Sequence, residues 1–125
     1  MIVIEPAQAP RRHETANAVM QTYASASLTG TELAVWRVEM PPAAAGPIHS
    51  VDVEQVLVML QGEVALEVDG ITIMLGADAS AVIPAGASRR VTNDAATSAV
   101  AIMCCRSGAR ASRAEQPDVT IPWAA

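Results

Sequence analysis

The chain predicts an all-β protein, an antiparallel sandwich or barrel, and three observations carry that expectation. Short apolar segments are separated by turn residues at close spacing, with no segment of strong helical periodicity. The hydrophobic fraction is 51% of 125 residues but only 2% of the chain is aromatic, so Val, Ile, Leu, Met and Ala must fill the core. The β-branched residues among them favour strands. Asp69-Gly70, set between two alternating segments, supplies the positive backbone angles of a tight hairpin.

In order along the chain, residues 1 to 27 read as an N-terminal arm with edge strands. Pro6, Pro10, Arg11, Arg12 and His13 suit an edge better than a helix. Between Thr15 and Ser27 the pattern leaves a strand and a short helical turn both open, and Leu28-Thr29-Gly30 reads as a turn. Thr31 to Met40 alternates, with Ala34, Trp36, Val38 and Met40 on one wholly apolar face. Pro41-Pro42 end that strand and lead through a Gly/Pro-rich approach to His49. Val53 to Leu60 is apolar on both faces apart from Glu54 and Gln55, the pattern of a central strand covered on both sides.

Val64, Leu66 and Val68 then alternate with polar positions, and Ile71 to Leu75 returns antiparallel after the hairpin. Ala81 to Ile83, Arg89 to Asn93 and Ser98 to Cys105 complete the series. Residues 28 to 106 are thus the barrel core of a single domain spanning 1 to 125. Residues 107 to 125 are a tail, irregular as far as Asp118 and apolar enough to dock again from Val119 to Trp123. Met59, Met74 and Met103 are expected to fill gaps in a core without phenylalanine.

Charge and cysteine content exclude several classes. A net charge of −5 with a pI near 4.8 offers no basic footprint for nucleic acid and no polybasic face for a membrane. No apolar run approaches a membrane span and no export signal opens the chain, so a cytoplasmic location is expected. Cys104 and Cys105 are adjacent in a strand, where side chains point to opposite faces, which disfavours a disulfide between them.

Two motifs carry a family resemblance. The first is Gly46 to Gly62, GPIHSVDVEQVLVMLQG, and the second runs from Pro84 through Gly86 and Arg89 to Asn93. They resemble the two motifs of the cupin family, a jelly-roll or double-stranded β-helix barrel. In that pattern three histidines and a carboxylate or glutamine hold a divalent metal. Here His49 stands at the first ligand position and Gln55 at the carboxylate position, but Val51 replaces the second histidine and Arg89 the third. The glycines that the pattern places ahead of each motif fall at Ala43 and Asp78. The resemblance covers roughly residues 30 to 106 and implies a homodimer. It is strongest to small stand-alone bacterial cupins associated with secondary metabolism.

Valine cannot ligate, and a permanently charged arginine would repel a divalent ion, so no metal is expected; if one binds, His49 and Gln55 are its candidates. Motif counting turns His49, Val51, Gln55, Leu57, Met59 and Arg89 into the barrel, with Trp36 as core or pocket wall. The expected function is therefore a metal-independent isomerase, cyclase or lyase acting by proton transfer on an anionic or carbonyl-containing molecule. In that scheme His49 and Arg89 are catalytic, Arg89 grips a carboxylate or enolate oxygen, and Gln55, Trp36, Val51, Leu57 and Met59 bind substrate. Two alternatives stay open. One is a metal-dependent dioxygenase with a reduced ligand set; the other is a non-catalytic sensor or carrier.

Overall fold

The computed structural model describes residues 1–5 and 11–125; the expectations attached to Pro6 and Pro10 lie outside the described residues. Its elements in chain order are β1 (Arg12–Glu14), β2 (Val19–Ala24), a one-turn helix α1 (Ala26–Thr29), β3 (Leu33–Met40), β4 (Ala44–Ala45), β5 (Ser50–Val51), β6 (Gln55–Gln61), β7 (Val64–Val68), β8 (Ile71–Leu75), β9 (Ser80–Ile83), β10 (Arg89–Asn93), β11 (Ala99–Arg106), β12 (Arg110–Ser112), β13 (Val119–Thr120) and a closing 3-10 turn (Pro122–Ala124). The undecided stretch before Gly30 contains both candidates, strand β2 and helix α1. Ser25 caps the start of that helix and Gly30 ends it at φ 70°.

The strands form a jelly roll of antiparallel sheets. A six-stranded sheet runs β1-β2-β3-β11-β6-β9, a four-stranded sheet β4-β10-β7-β8, and a small third sheet β13-β12-β5. Strand β6 is internal, between β11 and β9, as its apolar pattern required, but only one face is sealed. Gln55, Leu57 and Met59 are buried, whereas Val56 and Val58 are half-buried and Leu60 is exposed. In β3 the apolar face found in the sequence is the inner one: Ala34, Trp36 and Met40 are buried. Arg37 and Glu39 pair on the outside.

Turn chemistry agrees with the backbone. Asp69 and Gly70 have φ of 48° and 83° and join β7 to β8 as a hairpin. Gly62 lies at φ 78°, and a Cβ there would meet the Ser98 carbonyl oxygen at 2.8 Å. Ala43 and Asp78, where the family pattern places glycines, hold positive φ of 60° and 68°, so the glycine-type backbone is kept without the glycine. Asn93 is fully buried, and its amide donates to the carbonyls of Met40, Pro41 and Thr97 while its oxygen accepts from Ala95 N–H, tying β10 to the end of β3.

Two expectations fail. Met74 lies on the outer face of β8 at 54% exposure and fills no core gap, because the hairpin presents only Leu75 inward. The tail is not irregular up to Asp118. Strand β12 pairs with both β5 and β13, a long-range contact for which local sequence carries no signal. The 3-10 turn is held by Thr22, whose hydroxyl donates to the Trp123 carbonyl at 2.7 Å.

Candidate active site in the barrel cavity

Between the sheets lies a cavity of about 440 Å³, walled by side chains from β2, β3, β5, β6, β7, β10 and β11 and roofed by the tail. It separates two apolar clusters. Met40, Leu57, Met59, Val64, Ala99 and Ala101 belong to one, and Ala18, Met20, Trp36, Val51 and Ile121 to the other. Of the residues expected to bind substrate, Trp36, Val51, Gln55, Leu57 and Met59 all line this cavity, as does His49. The alternation of β3 and β6 put Trp36, Gln55, Leu57 and Met59 there, since every second side chain of a strand faces the same way.

His49 is held by its backbone, which exchanges both hydrogen bonds with Arg89 in an isolated antiparallel bridge. Its Nδ1 lies 2.9 Å from the Pro47 carbonyl oxygen. A carbonyl can only accept, so Nδ1 carries the proton and the lone pair sits on Nε2. Burial lowers the imidazole pKa below 6.5; the Pro47 hydrogen bond opposes this, while the nearby cations Arg89 and Arg113 add to it. His49 is therefore neutral at pH 7, with a basic nitrogen to offer.

Arg89 occupies another place than the one expected. It does not belong to the cavity wall. The residue is only 3% exposed, and its guanidinium is engaged by neutral groups: Nη1 donates to Gln55 Oε1 at 2.7 Å, Nη2 to the Pro84 carbonyl at 3.0 Å and Nε to the Ala87 carbonyl at 3.2 Å. The expectation that it grips a substrate anion is corrected on this point. The loop from Pro84 to Ala87 folds back beneath β10, so its carbonyls reach the guanidinium before any ligand could. The buried cation is satisfied by three acceptors, which answers the cost of its burial.

The bond from Arg89 has a consequence for Gln55. With Oε1 occupied by a cationic donor, the amide can only turn its Nε2 elsewhere. One N–H reaches Cys105 Sγ at 3.8 Å, leaving a second N–H with no acceptor among the described residues. Gln55 thus contributes a donor to the wall and not a lone pair. Cys105 itself is buried, and burial raises its thiol pKa, the condition of an inert cysteine.

This donor set does not fit a divalent metal held in the family manner. Val51 has no donor atom, Arg89 is a cation, and the Gln55 oxygen is held by that cation, so His49 Nε2 is the one uncommitted ligand atom at the four family positions. Among the described residues no group of three or more His, Cys, Asp and Glu side chains is placed to hold a metal ion. Among the same described residues no helix is long and apolar enough to cross a membrane.

Sequence reasoning expected Val119 to Trp123 to dock again but did not place them, or the N-terminal segment, over the cavity. Arg113, Gln116, Pro117, Val119, Ile121, Pro122 and Trp123 come from the tail, and Thr15, Asn17, Ala18 and Met20 from the N-terminal segment. His13 and Trp123, expected to be arm and tail contacts, meet with ring centroids 6.1 Å apart.

A jelly-roll barrel with an apolar, roofed cavity and a few polar groups aimed inward is a small-molecule-binding protein. Comparison makes the class specific: the chain belongs to the cupin family, the cupin domain model matching residues 36–105, more than half its length. No curated protein matches it in sequence. Among solved structures it is similar to an RmlC-like cupin from Shewanella frigidimarina at 19% identity and a TM-score of 0.70, covering 83% of this chain and 88% of that one. A predicted oxalate decarboxylase from Thermotoga maritima gives 18% identity and 0.70, covering 85% and 98%. A sugar phosphate isomerase of the cupin superfamily from Silicibacter pomeroyi gives 16% and 0.66, covering 80% and 67%. At these identities the likeness is one of fold.

Proposed function

We propose that this cupin is a metal-independent enzyme that moves a proton at a carbon next to a carbonyl group in a largely apolar small molecule, as in an isomerisation, cyclisation or lyase step. The observation that carries the reading is the presence in one cavity of a fixed-tautomer imidazole and an amide oriented by Arg89. His49 Nε2 takes the proton, and Nδ1–H stays on the Pro47 carbonyl, which supports the imidazolium as it forms. Gln55 N–H meets the oxygen on which negative charge develops. Arg89, as a positioning residue behind it, holds the amide and withdraws electron density through Oε1. The apolar wall excludes water and strengthens both interactions. An isomerase stands among the structural neighbours, in keeping with a non-redox step in this fold.

The test is deuterium exchange at the carbon beside the carbonyl of β-tetralone in D₂O, followed by proton NMR. Wild-type protein should accelerate exchange, dialysis against a chelator should leave the rate unchanged, and His49→Gln should lower it by about 100-fold or to background. Absence of acceleration, or full activity in His49→Gln, sinks the proposal. Retained binding without exchange would make the protein a carrier.

A further inference from the structure

The wall of the cavity has a charge character opposite to that of the protein. The chain carries thirteen Asp and Glu against eight Lys and Arg, for a net charge of −5, yet among the described residues no carboxylate lines the cavity. Among the described residues its ionisable side chains are His49 and Arg113. Arg113 follows β12 in the loop that leads to β13, and Gln116 and Pro117 of that same loop also face the cavity. Unlike Arg89, whose guanidinium is spent on three internal acceptors, the exposed Arg113 side chain has no hydrogen bond or ion pair among the described residues.

Two polar neighbours of the loop are engaged elsewhere, and Glu115, exposed in the same loop, makes no ion pair with Arg113. Arg110 donates to the Thr120 hydroxyl and the Asp118 carbonyl, and the Asp118 carboxylate accepts from the Ser112 hydroxyl. The loop is thus braced on both sides of Arg113 while its guanidinium stays open. Its charge also reaches the imidazole of His49, so the free cation and the proposed base share one space.

We infer that Arg113 is the anion-binding residue at the mouth of the cavity, and that the ligand is an apolar molecule bearing a carboxylate, its apolar body against Trp36, Leu57 and Met59 and its charged end on the guanidinium. This assignment rests on the small-molecule reading of the same cavity, but not on the proton-transfer step. It moves to the tail the role that the second motif suggested for Arg89. A planar guanidinium with five donors matches a carboxylate in two-point contact, and a half-open mouth spares the ligand the full cost of burying its charge.

Both tryptophans of the chain, Trp36 and Trp123, line the cavity, so occupancy is read directly by fluorescence quenching. The probes are para-nitrophenylacetic acid, an anion at pH 7, and uncharged para-nitrophenylacetamide, both efficient quenchers of nearly equal shape. Wild-type protein should bind the acid about two- to fivefold more tightly than the amide at low salt, the preference an exposed ion pair supports, and the ratio should shrink in high salt. Arg113→Gln should bring the ratio to about one with melting temperature unchanged, and Arg113→Lys should restore part of it. An undiminished preference in Arg113→Gln, a ratio of one in wild type, or no binding of either probe overturns the assignment. Loss of exchange activity with the preference intact would instead remove the catalytic reading and leave Arg113 standing.

Discussion

Replacing Arg89 with Met should cost stability before anything else. The substitution keeps an unbranched apolar stem and removes a cation whose three donors hold Gln55 Oε1, the Pro84 carbonyl and the Ala87 carbonyl. Two of these acceptors, Gln55 Oε1 and the Ala87 oxygen, are in buried hydrogen bonds; the third is reached more easily by water. A buried polar group left without a partner costs about 1–3 kcal/mol, so two of them cost roughly 2–6 kcal/mol. Relief of the arginine's own desolvation returns part of that, for a net loss of about 2–4 kcal/mol. In a domain of this size that is a large share of a stability on the order of 5–15 kcal/mol and lowers the melting temperature by roughly 10 °C or more. Thermal and urea unfolding followed by circular dichroism measure it. Arg89→Lys should fall between, because a single ammonium cannot span three acceptors. A melting temperature within about 2 °C of wild type for Arg89→Met would refute the structural role assigned here.

Further outcomes follow from His49 and from two turn positions. Because the His49 pKa is lowered on folding, the unfolded chain binds the extra proton first. This residue's contribution to stability is therefore complete above pH 6.5 and is lost as pH falls from 6.5 to the lower folded value; the acid limb of kcat/KM for exchange should likewise lie below 6.5, and a limb at or above that value would contradict the burial of the imidazole. Ala43→Gly should gain about 0.5–1 kcal/mol by removing a side chain from a left-handed position, whereas Gly62→Ala should lose at least about 2 kcal/mol against the Ser98 carbonyl, both read from urea midpoints.

Much of the barrel was legible because strands have a period of two. The inward faces of β3 and β6 follow from counting, and so do Trp36, Gln55, Leu57 and Met59 on the cavity wall. The hairpin at Asp69-Gly70 followed from two residues. Arg89 shows the limit: its position in β10 was correct, but a side chain with four torsions ends where its hydrogen-bond partners are. Those partners, Pro84 and Ala87, depend on how a turn folds back. The roof was less legible still. Arg113 meets the cavity because β12 pairs with β5, which pins Ala111 opposite Val51 sixty positions earlier, a choice made by tertiary packing alone.

The neutral Gln55 at the position of the family's carboxylate has a further consequence. A carboxylate there would have supplied a second proton carrier; an amide supplies none, and Arg113 does not titrate in the working range. On the proposed reading His49 is, among the described residues, the one group on the wall able to accept a proton, so it must also be the one that returns it. Chemistry of that kind runs on a single face of the substrate. The hydrogen removed from one carbon can be delivered to the next before it exchanges with solvent, so part of an isotopic label would travel with the product.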